Sequence, residues 1–173
     1  MAKDINWDEI ADALRPEMPD REPAGTDAAR RALEMILGEE ALRGGVDYYV
    51  ARRSASELVR SVLWLLRPWS AMVRCHELAG MSNEPEIRRS AVELLRVVGD
   101  RRALPWVSEF LDDSDSQVQG WGIGVLDQLL WSELIEPEEA EEVLQRAAHH
   151  ENEAIREHVE FIRSFLRARS EGA

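Results

Sequence analysis

Residues 99–130 contain two successive stretches in which apolar residues recur every three to four positions, the spacing of one helix face. The first stretch ends in the acidic turn 112–115, and the second begins directly after it. The inward positions are Leu104, Val107, Phe110 and Leu111, followed by Val118, Gly122, Val125 and Leu129. Asp115 or Ser116 is placed to cap the free amides of the second helix. The pattern predicts a helical hairpin.

The inward register of the second helix recurs in two other segments of the chain. The aligned sets are Ile87, Ala91, Leu94 and Val98; Val118, Gly122, Val125 and Leu129; and Ile155, Val159, Ile162 and Leu166. The sets are separated by 31 and then 37 residues, which is within or close to the range of helical-hairpin repeats. Residues 131–135 lengthen the second interval, and Glu136-Pro137 restarts a helix that runs through Ala147.

The N-terminal half also reads as helices, with less regular spacing. We predict a helix at 4–14 capped by Asp4, an irregular connector at 16–25, and helices at 28–37, 39–43 and 68–78. Val46, Tyr49 and Val50 indicate one or two further helical turns after Gly44-Gly45. Ser54-Ala55-Ser56-Glu57 resembles a capping box before a further helix at 58–66. This helix is apolar around most of its surface, so we expect it to be buried together with Trp64. Residues 168–173 are expected to form a frayed tail.

The length and composition favour one all-α domain over residues 1–173. With 173 residues, 45% of them hydrophobic, the chain can bury a single core. Within it, 1–27 forms the first helix and connector, 28–80 the divergent hairpins and 81–173 the clearer repeats. Cys75 is the single cysteine. The N-terminus lacks the basic start of a signal peptide, and apolar runs such as 62–66 are too short to span a membrane, so we expect a cytoplasmic protein.

The segment from Ala103-Leu104-Pro105 to Leu126 resembles the HEAT-repeat family: an apolar first helix, an acidic turn, and then Val-x-x-x-small. The resemblance implies a right-handed α-solenoid of about four to five HEAT-like helical hairpins. It also implies that Arg88 and Arg156 bind acidic partners that join neighbouring repeats. Gln119 departs from this pattern, so the central repeat is expected to lack that link. Because a solenoid is a scaffold, the resemblance says little about function.

Acidic residues are concentrated in the C-terminal half. The chain has a net charge of −13, which disfavours a role in binding nucleic-acid phosphates. Between Ala103 and Gln145 there are eleven acidic residues and no lysine or arginine. They are Glu109, Asp112, Asp113, Asp115, Asp127, Glu133, Glu136, Glu138, Glu139, Glu141 and Glu142. One interpretation is a solvated face with acids at helix starts; the other is a negative surface that attracts a basic partner.

Tryptophans and glycines supply the remaining candidates for a binding surface. Trp106 and Trp131 lie beside the acidic residues and could anchor a partner, although core packing is the alternative. Gly120, Gly122 and Gly124 alternate within one predicted helix, which each should weaken. Close helix packing accounts for Gly122, whereas Gly120 and Gly124 would let a partner or a neighbouring helix approach the backbone.

Metal chemistry is the alternative from the enzyme class. The deoxyhypusine hydroxylases, which are HEAT-like, bind two irons through four His-Glu pairs, whereas this chain has only His76-Glu77 and His150-Glu151. A complete di-iron site is therefore not expected, and we predict no cofactor. HEAT-like DNA glycosylases line their groove with Lys and Arg, unlike the acidic segment of this chain.

The sequence thus predicts a non-enzymatic module that binds a basic protein partner. One form of this hypothesis is an inhibitor or immunity protein against a toxin such as a nuclease; the alternatives are a general HEAT adaptor or regulatory subunit and a metal-dependent hydroxylase. The candidate partner-binding residues are Trp106, Glu109, Asp112, Asp113, Asp115, Gly120, Gly124, Trp131, Glu133, Glu138 and Glu142.

Overall fold

The structure, a computed structural model, describes residues 5–17 and 25–172. Within these ranges the chain is all-helical. The ten α-helices are α1 (Trp7–Leu14), α2 (Gly25–Leu37), α3 (Glu39–Val50), α4 (Ser56–Leu66), α5 (Trp69–Met81), α6 (Pro85–Val98), α7 (Val107–Leu111), α8 (Ser116–Trp131), α9 (Pro137–Ala148) and α10 (Glu153–Gly172). Two 3₁₀ segments are also present: Arg15–Glu17 follows α1, and Arg101–Trp106 precedes α7.

Several helix boundaries follow from capping chemistry, and the cap at Asp115 is as predicted. The Asp115 side chain accepts hydrogen bonds from the amides of Gln117 and Val118 at the start of α8, which satisfies two of its free donors. Glu136 and Glu139 form a capping box ahead of α9. Asn6 caps α1, while the predicted cap Asp4 and residues 18–24 of the connector lie outside the described residues.

Other predicted boundaries are wrong. Helix α3 runs through Gly44-Gly45 without the expected break and joins the predicted turns at 46–50, because Leu42, Val46 and Tyr49 are buried along one face. This burial offsets the cost of two helical glycines. Ala55, not Ser54, precedes α4, and no side chain caps its start. Residues 101–106 are 3₁₀ before a short α7, and α10 extends to Gly172 in place of the predicted frayed tail.

The helices pack as successive pairs around a continuous core. Helix α3 contacts α4, α5 contacts α6, α7 contacts α8, and α9 contacts α10. Neighbouring pairs meet through α4, α6, α8 and α10 in turn, and α3 also contacts α5. The aligned inward positions are buried, apart from Ile87 and Leu166, which are half-buried. The predicted register of α6, α8 and α10 is therefore confirmed.

The prediction that α4 is buried is wrong. Only Leu63 and Leu66 are buried in this helix. Leu58, Val62, Trp64 and Leu65 are exposed, Trp64 by 53%. Helix α4 packs against α2, α3 and α6, and these contacts leave much of its apolar surface uncovered. An apolar residue pattern alone does not show which neighbours are present to cover it.

The turns before α6, α8 and α10 are closed by the same hydrogen bond. In each case, the residue that follows the first inward position donates to the carbonyl oxygen six residues earlier. The three bonds are Arg88 Nη1 to Ser82 O (3.3 Å), Gln119 Nε2 to Asp113 O (2.8 Å) and Arg156 Nη1 to His150 O (2.7 Å). We call these three bonds the turn ladder. The positions that align in the sequence repeat therefore form equivalent hydrogen bonds in the structure.

Further contacts join one turn to the next. Arg88 binds the carboxylate of Asp113 at 3.3 Å, as predicted. Gln119 does not form the arginine–carboxylate link, but it accepts a hydrogen bond from Asn152 Nδ2 at 2.8 Å, so a different contact joins the central repeat to the next turn. Arg156 binds the carbonyl oxygens of His150 and Glu151, so its predicted acidic partner is wrong. The side-chain amide of Gln119 can form both contacts because it donates a hydrogen bond through its nitrogen and accepts one through its oxygen.

Candidate protein-interaction surface

The acidic turn between α7 and α8 is bound within the protein. Arg89 Nη2 lies 2.6 Å from Asp115 Oδ2, and Arg88 pairs with Asp113. The side chains of Asp113 and Asp115 are only 17% and 11% exposed. Hydrogen bonds from Arg89, and next those from the Gln117 and Val118 amides, lower the pKa of Asp115. These two carboxylates hold the turn together and present little surface to a partner.

Five other acidic residues of the 103–145 segment also have side-chain partners, three of them arginines and two of them histidines. These pairs are Glu109 with His76 (2.7 Å), Asp112 with Arg146, Asp127 with His158 (3.4 Å), Glu133 with Arg169 (3.0 Å) and Glu139 with Arg101 (2.7 Å). All the partners lie outside the segment in sequence, which is why the segment appears uncompensated in the sequence alone. Seven of its eleven acidic residues are thus paired within the described structure.

The four remaining acidic residues of the 103–145 segment lie on α9 or directly before it. Glu138, Glu141 and Glu142 of α9 are exposed, and within the described ranges none of them forms an ion pair. Residues 136–160, here called the C-terminal acidic hairpin, contain nine acidic residues, two arginines and three histidines. Both arginines already have partners: Arg146 binds Asp112, and Arg156 binds two carbonyl oxygens. The hairpin therefore presents negative charge to solvent.

An aromatic cluster lies beside this hairpin. Trp131, at the end of α8, is 60% exposed, and its ring centroid is 4.7 Å from that of Phe165 on α10. Phe161, one turn earlier on α10, is 57% exposed. We call Trp131, Phe161 and Phe165 the aromatic patch. Sequence reasoning singled out Trp131 but missed Phe161, which could have been found because it lies outside the inward register of α10.

Trp106 lies in an internal stack. Its ring centroid is 4.5 Å from that of His76 and 5.4 Å from that of Trp69. The Arg102 guanidinium lies over Trp69, 5.1 Å from the ring centroid. Trp106 is half-buried against the core, and the structure does not bring it together with Trp131. Packing accounts for Trp106 without a partner.

The three glycines of α8 have different surroundings. A Cβ at Gly122 would lie 2.6 Å from Phe110 Cβ, so the predicted close packing is confirmed. Gly124 is buried, and a Cβ there would lie 3.2 Å from Arg96 Cδ. The Arg96 guanidinium then reaches over Trp121, 5.7 Å from the ring centroid. A Cβ added at Gly120 would meet no atom within 4 Å, and this glycine is half-buried.

The residues considered for metal or nucleophilic chemistry have structural partners. His76 binds Glu109, and His150 Nε2 lies 2.9 Å from the carbonyl oxygen of Leu111. Among the described residues, no group of three or more His, Cys, Asp or Glu side chains is arranged to hold a metal ion. Cys75 is fully buried, and burial raises the pKa of its thiol.

Comparison of the chain with protein-family models, with curated proteins and with solved structures finds no match. In the described part of the chain, no helix has both the length and the apolar character needed to cross a membrane. What the chain binds is therefore inferred from its own residues.

Proposed function

We propose that the chain is a non-enzymatic, right-handed HEAT-like α-solenoid of about four to five hairpins that binds a basic protein. The solenoid is supported by the turn ladder, in which three successive turns use the same hydrogen bond at equivalent positions. It is also supported by the contacts that join successive helix pairs. Equivalent units stacked in this way offer an extended surface for a partner.

The observation that carries the binding proposal is the position of the unpaired negative charge. Internal ion pairs neutralise most of the 109–133 region, whereas Glu138, Glu141 and Glu142 remain exposed without ion pairs among the described residues. A basic protein surface is attracted to such a region, chiefly through a faster association rate. The proposed contact therefore centres on the C-terminal acidic hairpin, with Glu133 at its edge.

The aromatic patch supplies the apolar part of the proposed contact. Exposed tryptophan beside charged residues is typical of the few positions that contribute most of the binding energy at interfaces. Trp131 and Phe161 are more than half exposed, so a partner could bury them without disturbing the core. Gly124 is buried and Asp113 and Asp115 are half-buried, so their role in this proposal is to position α8.

The test compares two charge reversals in the full chain. Glu138→Lys, Glu141→Lys and Glu142→Lys change the proposed contact, and Glu39→Lys, Glu40→Lys and Glu86→Lys make the same change in net charge elsewhere. A partner recovered from the source cells is identified, purified and titrated by calorimetry at two salt concentrations. We expect a basic partner whose affinity falls at least tenfold with the first triple variant and with higher salt, and little with the second.

Two outcomes would contradict this proposal: a recovered partner that is acidic, or one whose affinity is the same for both triple variants. Trp131→Ala should separately weaken binding by about 2 kcal/mol or more if the tryptophan is an anchor. An activity assay of the recovered partner distinguishes the two forms of the hypothesis. An immunity-type inhibitor abolishes that activity, whereas an adaptor leaves it intact.

A further inference from the structure

Two residues that are buried overall present their hydroxyl groups to a cleft far from the acidic hairpin. Ser90 on α6 is 3% exposed and Tyr49 on α3 is 8% exposed. Neither hydroxyl forms a hydrogen bond within the described residues, and both oxygens remain accessible to solvent from the cleft. Both line a cavity of about 350 Å³ between the α3–α4 turn and α6. Two unpartnered hydroxyls in one cavity indicate a place for polar ligand atoms.

One wall of this cleft favours an anionic group. Arg52, Arg53 and Ser54 line it from the α3–α4 turn. The Arg53 guanidinium lies over the Tyr48 ring, 5.2 Å from its centroid, and this contact holds the charge near the rim. No side chain caps the start of α4, and the amides of a free helix start attract negative charge.

The other wall favours a cationic group. Glu93 lines the cleft and is half-buried, and within the described residues its carboxylate has no hydrogen bond or ion pair. Burial, and next the charge of Glu93, raise the pKa of Tyr49, so the phenol stays protonated and can donate a hydrogen bond. Glu57 also lines the cleft, but it is largely exposed and pairs with Arg60.

We propose that this cleft binds a small zwitterionic ligand of amino-acid size. Its carboxylate lies toward Arg52, Arg53 and the start of α4, and its ammonium group lies on Glu93. The Ser90 and Tyr49 hydroxyls bind the polar atoms between them. Opposite charges on the two walls select a ligand with both charges over a simple anion or a simple amine. The site is separate from the proposed partner surface and does not depend on it.

The experiment is calorimetric titration of the full chain, in phosphate-free buffer, with each of the standard amino acids. The amino acid that binds is then compared with its deaminated acid, its decarboxylated amine and inorganic phosphate. We expect at least one amino acid to bind, and both single-charge analogues and phosphate to bind at least tenfold more weakly. Ser90→Ala and Glu93→Gln should each weaken binding at least tenfold, whereas Glu86→Gln on the same helix should leave it unchanged.

Three results would overturn the inference: no amino acid binds, phosphate or a single-charge analogue binds equally well, or binding is the same in Ser90→Ala and Glu93→Gln as in the parent chain. Thermal unfolding of each variant controls for folding. Because the Ser90 hydroxyl has no partner in the described protein, Ser90→Ala should not lower the melting temperature. A loss of binding in that variant therefore reports the ligand contact.

Discussion

The glycines of α8 show how one residue type has different consequences at three positions in the same helix. At Gly122 the nearest atoms to an added Cβ are Phe110 Cβ at 2.6 Å and Phe110 C at 3.5 Å. These atoms are close to or part of the backbone, so they cannot move without shifting α7. At Gly120 nothing lies within 4 Å. At position 122, close packing against Phe110 offsets the cost of placing a glycine in a helix. At position 120, no such contact offsets that cost.

Gly122→Ala should lower the free energy of unfolding by about 1–3 kcal/mol because the new methyl group overpacks the contact with Phe110. Gly120→Ala should raise it by about 0.5–1 kcal/mol because alanine is the better helix former and meets no neighbour. Urea unfolding followed by circular dichroism measures both. Equal effects of the two substitutions would contradict this description of the α7–α8 contact.

Residue-level chemistry was partly predictable from the sequence. Asp115 could be identified as a cap because its amide partners are two and three residues away. The pairing of Arg88 with Asp113 spans 25 residues, and it followed only from the family resemblance. The pairing of Arg146 with Asp112 spans 34 residues and was not predicted. Nothing in the local sequence indicates which distant arginine will reach a given carboxylate.

At the scale of elements, Gln119 joins two turns. It is 7% exposed, donates to Asp113 O and accepts from Asn152 Nδ2. An arginine at this position could donate to Asp113 O but could not accept from Asn152. The departure from the arginine found at positions 88 and 156 is therefore compensated by Asn152 in the next turn.

Gln119→Leu should lower the free energy of unfolding by about 1–3 kcal/mol because it leaves the Asn152 amide and the Asp113 carbonyl without these partners. Asn152→Ala removes the same contact from the other side, together with the cap of the Ala154 amide. The double variant should cost less than the sum of the single variants, as measured by a double-mutant cycle in urea. Strict additivity would show that the two residues do not interact.

The helices differed in how well their environment could be predicted. The register of α6, α8 and α10 was predictable because each helix is covered along one face, which produces a regular 3.6-residue period. The burial of α4 was not, since its apolar residues are spread around the helix and the structure covers only the side that contains Leu63 and Leu66. The pattern of apolar residues identifies the buried face of a helix only when the opposite side is clearly polar.

At the scale of the whole molecule, folding brings arginines from distant parts of the sequence next to many of the acidic residues. Residues 103–145 contain no lysine or arginine, yet five of their eleven acidic residues pair with arginines and two more bind histidines. These partners are contributed by α5, α6, the 3₁₀ segment before α7, α9 and α10. Within residues 103–145, the acidic residues that form no ion pair in the described structure lie at the C-terminal end of the segment, on α9 or directly before it. The negative sign of this region could thus be predicted from the sequence, whereas which of its carboxylates stay unpaired could not, because that depends on long-range pairing.

The fully buried Cys75 also makes the molecule a sensor of its own unfolding. Because the thiolate is the reactive form and burial raises the pKa of this thiol, alkylation by iodoacetamide should require the core to open. Pulsed alkylation across a urea series should therefore follow the unfolding transition. An added Ser114→Cys thiol, at an exposed position, should be labelled at every urea concentration, with mass spectrometry resolving the two peptides. Rapid labelling of Cys75 without urea would show that the core opens locally.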